Sequence, residues 1–310
     1  MKKRILIVGP INMDLVLKIP RFPIRGENLY GESLKVIPGG KGANQAVAVS
    51  RLGHEALMAG RVGKDHFGEL LMDGLRGEGV EVRYVDRDLE AESGTPIMLV
   101  EPDGTNTGLI SRGANGRFSV ESAAKLAEPI RAVDLVLLQL ELPHEPIAEV
   151  IRLARSQGKP VVLDAGPPCT EPFAEFFDVS VLSPNEFEAE ALTGLSVSDE
   201  RSALRAARLL LAKGPEAVVI KLGARGALLV SAGQERLFPA FRVHTVDTIA
   251  AGDAFTAALA ASLVEGKELE EAVLFANAAG ALATTKPGAQ PSMPNRQEIE
   301  ALLASAPSDR

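Results

Sequence analysis

A run of small residues that ends in Asp253 has the composition of a phosphoryl-transfer site. Ala250, Ala251 and Gly252 precede the aspartate, and the apolar residues 254–264 that follow predict a helix. Small residues at a helix N-terminus leave backbone N–H groups free to bind an anion, and the helix dipole strengthens the attraction. Asp253 itself has two interpretations, a helix cap or a general base that takes the proton of an attacking hydroxyl. Beside an anion site the base is favoured, because phosphoryl transfer needs both groups.

A second glycine-rich segment, residues 39–44, reads Gly-Gly-Lys-Gly-Ala-Asn and precedes a helical pattern that Gly53 can end. The glycines let the backbone approach a ligand, while Lys41 and Asn44 add polar groups that can bind it. A flexible turn that enters a helix is an equally good interpretation of the glycines alone. The segment lacks the pattern of a Walker loop. Residues 9–12 also lack the dinucleotide-binding Gly-x-Gly-x-x-Gly pattern, which weakens a dehydrogenase interpretation.

Two further segments have one structural and one functional interpretation each. Asn185 and Glu188 have the spacing of a capping box, which also suits oxygen ligands for Mg²⁺-bound water at the mouth of a cleft. Residues 223–226, Gly-Ala-Arg-Gly, predict either a strand–turn–strand or a loop against a nucleotide. The 4 histidines and Cys169 have no metal-ligand spacing, so we expect core or surface roles for them.

The composition is that of a globular protein, with 46% hydrophobic and 24% charged residues among 310. The formal net charge of −8 argues against nucleic acid or an anionic membrane as the main partner. Cys169 is the only cysteine, so an intrachain disulfide is impossible and a reducing cytoplasm is favoured. The N-terminal apolar run is too short for a signal peptide, and no stretch approaches the ~18 apolar residues of a membrane span. We therefore expect a cytoplasmic protein that is ordered except at residues 306–310.

Short apolar runs alternate with helical patterns along the chain, and the elements they predict must position the candidate catalytic and binding residues. The runs predict buried strands at residues 5–8, 135–138, 161–163, 179–182 and 218–220, with helices at 146–156 and 201–213. This alternation predicts an α/β fold whose parallel sheet is covered on both faces and binds ligands at the carboxyl ends of its strands. Residues 15–37 and 95–110 break the alternation, and a Pro-Asp-Gly turn in the second is typical of a hairpin. Both segments predict strands outside the main sheet that form a small β-flap over the cleft.

From about residue 5 to residue 292, the chain resembles the ribokinase-like carbohydrate kinases. The motifs that carry the resemblance are Asn12-Met13-Asp14, the run from Gly39 to Ala46, Gly113-Ala114-Asn115, Glu141, Pro184-Asn185-Glu186, the run from Asp247 to Asp253, and the run from Lys286 to Ser292. The resemblance implies a single domain, residues 1–310, with three α/β/α layers and a mostly parallel central sheet. It also implies a β-sheet lid at about residues 13–37 and 95–112 that joins a homodimer. The implied reaction is phosphorylation of D-ribose at its 5-hydroxyl by ATP with Mg²⁺.

The resemblance implies a role for each matching residue. Asp253 would be the base, beside an anion hole formed by Ala250, Ala251 and Gly252. Sugar hydroxyls would be bound by Asn12, Asp14, Gly40, Lys41, Asn44 and Glu141, together with Asp253. ATP would be bound by Asn185, Lys221, Gly223, Gly226, Gly252 and Asn277, and Glu188 would support Mg²⁺ through water. A K⁺ activator would be held, mostly through carbonyls, by Asp247, Ile249, Ala283, Lys286, Gly288 and Ser292.

The chain departs from the family pattern at two of these positions. Lys221 stands where relatives often have a hydroxyl residue, and Asn277 stands where some have a histidine near the adenine. A triphosphate suits Lys221, and a different nucleotide donor is the alternative.

Two other functions stay open at this point. One is a kinase for another sugar or a nucleoside, although 11 Phe, 2 Tyr and no Trp offer few stacking partners for a base. The other is a sugar- or nucleotide-binding regulator without chemistry. Asp253 and the small residues before it argue against a regulator, because a pure binder needs no base.

Overall fold

The computed structural model describes residues 2–305, so the tail expected to be disordered, residues 306–310, lies outside the described residues. The strands in chain order are β1 (Arg4–Val8), β2 (Asn12–Lys18), β3 (Ser33–Gly39), β4 (Glu55–Gly63), β5 (Glu81–Asp88), β6 (Thr95–Val100), β7 (Asn106–Ser111), β8 (Leu135–Gln139), β9 (Val161–Asp164), β10 (Val181–Ser183), β11 (Ala217–Lys221), β12 (Ala227–Ser231) and β13 (Gln234–Phe238). The α-helices are α1 (Lys41–Arg51), α2 (His66–Gly77), α3 (Val120–Ala124), α4 (Ala127–Ala132), α5 (His144–Ser156), α6 (Glu186–Thr193), α7 (Glu200–Leu211), α8 (Ala251–Val264), α9 (Leu269–Ala283) and α10 (Arg296–Ser305). None of the helices in this described part of the chain is long and apolar enough to cross a membrane.

Nine strands form the central sheet in the order β13-β12-β11-β10-β9-β8-β1-β4-β5. The pairs from β11 to β5 are parallel, whereas β12 and β13 are added as antiparallel neighbours. Side chains alternate along a strand, so Ile5 and Ile7 of β1 enter one buried apolar cluster and Leu6 and Val8 enter the other. Helices cover both clusters. The predicted α/β fold, with three layers and a mostly parallel sheet, is confirmed.

Each strand predicted for the central sheet and each predicted helix overlaps an observed one, with boundaries that differ by a few residues at most. The apolar run at residues 179–182 predicted a strand from its first residue, but β10 begins only at Val181. Val179 and Ser180 instead belong to the segment that enters the strand. Both Val179 and Val181 are buried, so hydrophobicity alone does not separate the loop from the strand.

A second sheet of four strands, in the order β3-β2-β6-β7, corresponds to the two segments that break the alternation. The predicted hairpin is β6 and β7, which pair antiparallel across a turn closed by the hydrogen bond from Gly104 N to Glu101 O. The first segment pairs earlier than predicted, because β2 already begins at Asn12. Whether this small sheet moves as a lid stays a prediction.

Glycine contacts bring α1 against the carboxyl end of β1. A Cβ at Gly42 would lie 2.7 Å from the Cα of Gly9, so neither position has room for a side chain. Gly40, which precedes α1, has φ 87°, a left-handed conformation that favours glycine. The start of α1 is thereby held at the strand end, where ligands bind in open parallel sheets.

Candidate active site

Asp253 is the third residue of α8, and its side chain is buried at the centre of the cleft. Its carboxylate accepts hydrogen bonds from Asn44 Nδ2 at 2.9 Å and Gln45 Nε2 at 3.2 Å, and Lys41 Nζ lies 3.7 Å away. Burial raises the pKa of the Asp253 carboxyl, and the charge of Asp164 adds to this effect against the opposing charge of Lys41. The alternative interpretation as a cap is wrong, because Ala250 occupies the cap position of α8 and no side chain caps it.

The N-terminus of α8 presents unused backbone donors beside Asp253. Among residues 2–305, no acceptor is described for the N–H of Gly252 or of Asp253. The turn that exposes them requires φ 61° at Ala250, the one non-glycine residue with positive φ in the described chain. A left-handed alanine costs about 1–2 kcal/mol. Strain of this kind is typical of functional turns, and here it aims two amides into the cleft.

The predicted sugar-binding side chains converge on the opposite wall. Asn12 donates to Glu141 Oε1 at 3.1 Å, and its Oδ1 accepts from Asn115 Nδ2 at 2.8 Å. Asp14 Oδ1 and Asn44 Oδ1 are buried and have no partner in the described part of the chain. Because buried polar atoms are nearly always satisfied, two orphaned acceptors indicate a ligand that carries hydroxyl donors.

Negative charge is concentrated at this wall. Burial and the carboxylates of Glu141 and Asp253 raise the pKa of Asp14 to about 7. Burial also raises the pKa of Glu141, although Lys41 partly opposes the change. Gly39 leaves the space that Asp14 occupies, since a Cβ at Gly39 would lie 2.3 Å from Asp14 Oδ2.

Lys41 is the positive charge nearest to these carboxylates. Burial alone lowers the pKa of Lys41, but Asp164 and Asp253 raise it more, with smaller contributions from Glu188 and Glu141. The ammonium group is therefore held charged in the cleft. The structure brings Lys41 to the wall formed by Asn12, Asp14, Asn44 and Glu141, which we call the sugar wall. It also places Lys41 near Asp164, which the sequence analysis did not single out.

Asp164, Gln45 and Gln139 are polar residues of the site that the sequence analysis missed. Asp164 is fully buried at the end of β9 and accepts from Lys221 Nζ at 2.7 Å and Gln45 Nε2 at 2.9 Å. Gln139 Nε2, at the end of β8, donates to Gln45 Oε1 at 2.6 Å. The sequence contained a signal for two of these site residues, because Asp164 and Gln139 each follow an apolar run at the carboxyl end of a parallel strand.

Three of the predicted nucleotide-binding residues, Gly223, Gly226 and Asn277, shape the backbone around β11 to β13. Gly223–Arg225 is a short 3-10 turn between β11 and β12, so the strand–turn–strand interpretation is confirmed. Gly226 has φ 100°, and a Cβ there would lie 1.9 Å from the Phe238 carbonyl oxygen. Asn277 Nδ2 donates to Pro239 O at 2.8 Å and thereby fastens the segment that follows β13. Their contacts with a nucleotide stay a prediction.

Asn185 and Glu188 form the capping box that their spacing predicted. Both oxygens of Glu188 accept from Asn185, from its backbone N at 2.6 Å and its Nδ2 at 2.9 Å. Glu188 is buried, and burial is the main cause of its raised pKa. It reaches the cleft beside Gly166, where a Cβ would meet Glu188 Oε1 at 2.4 Å and Lys41 Nζ at 3.1 Å. Within residues 2–305, no three His, Cys, Asp or Glu side chains are grouped so that they could hold a metal ion.

The structure brings together part of the predicted cation site. Asp247 accepts from Ile249 N at 3.0 Å and from Gly288 N at 2.9 Å. Asp247 N also donates to Thr284 O, one residue after Ala283 ends α9. By contrast, the Lys286 ammonium bonds Glu298, and Ser292 Oγ donates to Ala289 O within its own turn. Asp247 therefore ties the loop before α8 to the segment after α9.

Comparisons with known proteins agree with this geometry. Residues 2–296 match the profile of the pfkB family carbohydrate kinases. The chain is 38% identical over 302 residues to a ribokinase of Bacillus subtilis, covering 97% of this chain and 100% of that protein. It is 34% identical over 303 residues to a deoxyribokinase of Salmonella typhimurium, covering 97% and 98% of the two chains. A ribokinase of Arabidopsis thaliana solved with ribose and ATP has a TM-score of 0.93 and 34% identity, with 99% of this chain and 100% of that chain covered.

The profile match extends over nearly the whole chain, and the similar proteins align from end to end. The buried aspartate at a helix N-terminus and the orphaned acceptors opposite it lie within that alignment. This chain belongs to the pfkB family of carbohydrate kinases.

Proposed function

We infer that this chain transfers the terminal phosphoryl group of ATP to the 5-hydroxyl of D-ribose. The observation that carries the inference is the position of Asp253, whose carboxylate lies between the free amides of α8 and the orphaned acceptors of the sugar wall. A ribokinase of Arabidopsis thaliana that binds ribose and ATP shares the fold over 99% of this chain. A base, an anion site and hydroxyl acceptors are what transfer from a phosphate ester to an alcohol requires.

The residues of the site have separate roles in this reaction. The sugar wall orients the ribose. Asp253 takes the proton of the attacking 5-hydroxyl through its carboxylate oxygens, which accept hydrogen bonds from Asn44 and Gln45 in this structure. The oxygen of the hydroxyl forms a bond to phosphorus as the bond to the ADP oxygen breaks. The N–H groups of Gly252 and Asp253 stabilise the charge on the transferring group. The raised pKa of Asp253 makes it a stronger base than an exposed aspartate.

A substrate panel tests this function. Turnover is measured with ATP and, in turn, D-ribose, 2-deoxy-D-ribose, D-fructose and adenosine, and kcat/KM is compared. We expect D-ribose to be the best substrate, with the 2-deoxy sugar at least about tenfold worse because a hydroxyl partner of the buried acceptors is missing. A preference for 2-deoxyribose would instead assign the activity of the Salmonella typhimurium relative. No turnover with any of them would contradict the inference.

We propose that Mg²⁺ and K⁺ take part. Glu188 would hold Mg²⁺ through water, supported by the place of its carboxylate in the cleft beside Gly166, and the ion would neutralise charge on the ATP phosphates. Backbone carbonyls near Asp247, Ile249, Ala283, Lys286, Gly288 and Ser292 would hold K⁺, supported by the two hydrogen bonds of Asp247. Replacing K⁺ by a large organic cation in the ribose assay should lower kcat, and an unchanged rate would remove K⁺ from the proposal.

We also propose a homodimer joined through the small sheet. The strand register places a set of aliphatic side chains on one face of the small sheet, namely Leu15, Leu17, Leu34, Val36, Ile97, Leu99 and Leu109. Two of them are largely open to solvent, since Leu34 is 59% exposed and Leu109 is 54% exposed. Asp14 lies on the opposite face, towards the sugar wall. A continuous aliphatic face of this kind is typical of an interface.

Sedimentation of Leu34→Glu tests the dimer. A charge on the aliphatic face should shift the protein to monomers, whereas Lys35→Glu, on the same strand and the other face, should not. A monomeric wild-type protein would contradict the proposal. The cytoplasmic location expected from the lone cysteine stays a prediction.

A further inference from the structure

The ion pair between Lys221 and Asp164 is the most deeply buried charge pair of the cleft. The two side chains are 12% and 0% exposed, and the Nζ to Oδ1 distance is 2.7 Å. Asp164 is also joined to Asp253 through the amide of Gln45, which donates to both carboxylates. Removing two charges from water is expensive, and an apolar pair of similar volume is often as stable. Stability therefore does not explain why the pair is present.

The position of Lys221 relative to α8 does suggest a reason. Lys221 ends β11, and its Nζ lies 3.8 Å from the point that a Cβ at Gly252 would occupy. The ammonium group is thus next to the free N–H groups that begin α8. An anion bound by those amides would also meet Lys221. Lys41 lies on the other side of Asp164, with Nζ 3.8 Å from its Oδ2 and 3.7 Å from Asp253.

The charges of the cleft favour a cation at this position. Five carboxylates face it, namely Asp14, Glu141, Asp164, Glu188 and Asp253, against the two ammonium groups of Lys41 and Lys221. These carboxylates repel a polyphosphate, and a positive charge that is fixed where its phosphates bind offsets the repulsion. A free lysine side chain has several rotatable bonds, so holding it in place needs a partner.

We propose that Asp164 is a positioning residue that holds Lys221 against the N-terminus of α8, where the Lys221 ammonium binds the phosphate oxygens of the nucleotide. This inference rests on the proposed function for its nucleotide but not for its sugar. Asp164 touches neither substrate. It acts through Lys221, and it keeps Lys41 on the side of Asp253, so one buried carboxylate separates the two cations of the cleft.

The test removes both charges together. Lys221→Met alone leaves the Asp164 carboxylate buried without its ammonium partner and is expected to unfold easily. The double variant Asp164→Asn with Lys221→Met has no such unpaired charge. Arg208→Met with Glu235→Gln, which removes an exposed ion pair far from the cleft, is the matched control.

Binding of three ligands is measured by calorimetry: D-ribose, adenosine, and the β,γ-methylene analogue of ATP. We expect the double variant to bind the ATP analogue about 10- to 100-fold more weakly, the scale of one charge-assisted hydrogen bond to phosphate, with ribose and adenosine within about twofold of wild type. Asp164→Asn alone should weaken the analogue in the same direction. The control pair should change none of the three.

Two outcomes overturn the inference. Unchanged affinity for the ATP analogue in the double variant would show that Lys221 does not bind phosphate. Equal losses for all three ligands would show that the pair only supports the fold. The proposed function fails separately, through absence of ribose turnover in the wild-type protein, because the comparison of analogue with adenosine does not depend on the sugar.

Discussion

The two ends of the cleft are built from different parts of the chain. The sugar wall consists of polar side chains, and side-chain hydrogen bonds fasten the buried Asn12 and Asn44 but not the half-buried Asp14. The end that we propose for the phosphates consists mainly of backbone, with the free amides of Gly252 and Asp253 after the left-handed Ala250 and with Lys221 beside them. Side chains can match the directions of individual hydroxyls, whereas amides and a helix dipole attract any anion of suitable size. The contrast indicates that specificity for the acceptor lies at the sugar wall.

Asp253 belongs to both ends, because it lies in the first turn of α8 and accepts a hydrogen bond from Asn44 of the sugar wall. Asp253→Asn should therefore cause the largest loss of activity, because it changes the residue that the two ends share. The amide keeps the shape but cannot take a proton, so we expect kcat to fall by about 10²-fold or more while ribose and ATP still bind. Steady-state kinetics and calorimetry measure the two quantities.

Asp199→Asn is the control for this substitution. Asp199 caps α7, and asparagine caps as well as aspartate, so activity and stability should both be retained. Near-normal turnover of Asp253→Asn would remove the assignment of the base.

Gly252→Val probes the backbone end. A Cβ at Gly252 meets only Lys221 Nζ, at 3.8 Å, so the fold accommodates a side chain that nevertheless covers the amides. We expect kcat/KM for ATP to fall by about 10²-fold, the scale of a lost anion-hole donor, with the KM for ribose nearly unchanged. Gly74→Ala, an exposed helical glycine with no atom within 4 Å of a Cβ, should leave kinetics unchanged and stabilise the protein slightly. A ribose defect as large as the ATP defect would mean that the two ends are not separable.

Asp14→Asn probes the side-chain end. Removing the carboxylate should raise the KM for ribose by about 10- to 100-fold and leave the KM for ATP unchanged, because an ionised acceptor for hydroxyls is lost. An equal loss for both substrates would contradict the separation. Asp65→Asn, at the cap of α2, controls for the change in charge.

The pH dependence gives the smallest but most specific effect. The pKa of Asp14 is raised to about 7, so its carboxylate is protonated as pH falls through 7 and the KM for ribose should rise by up to about tenfold per pH unit. In the folded protein Asp14 keeps a proton that the unfolded chain releases, so its ionisation lowers stability as pH rises from about 4 to 7. Asp14→Asn should remove both dependences and, at pH 8, stabilise the ligand-free protein by on the order of 1–2 kcal/mol, since solvent screens a half-buried charge. A wild-type KM that is flat from pH 6 to 8 would show that the ionised carboxylate does not bind the sugar.

Much of the fold was predictable because local patterns report it. Alternating apolar runs and helical patterns predicted the parallel sheet, and the break in that alternation predicted the small sheet. Glycines were also informative, since Gly39 and Gly40 have steric or backbone roles that only glycine fulfils. The late start of β10 was not predictable, because Val179 is as buried in the loop as Val181 is in the strand.

The sequence by itself determined the fold class, the two glycine-rich segments and the candidate base, because these depend on residue types close together in the chain. Only the tertiary structure decided what surrounds Asp253. Gln45 is 208 residues away from Asp253, and Lys221 is 57 residues from Asp164, yet each pair is in hydrogen-bond contact. It was also the folded structure that excluded capping by Asp253 and left Asp14 Oδ1 without a partner among residues 2–305. Burial, charge pairing and unsatisfied hydrogen bonds arise between distant segments, so no local pattern of residues reports them.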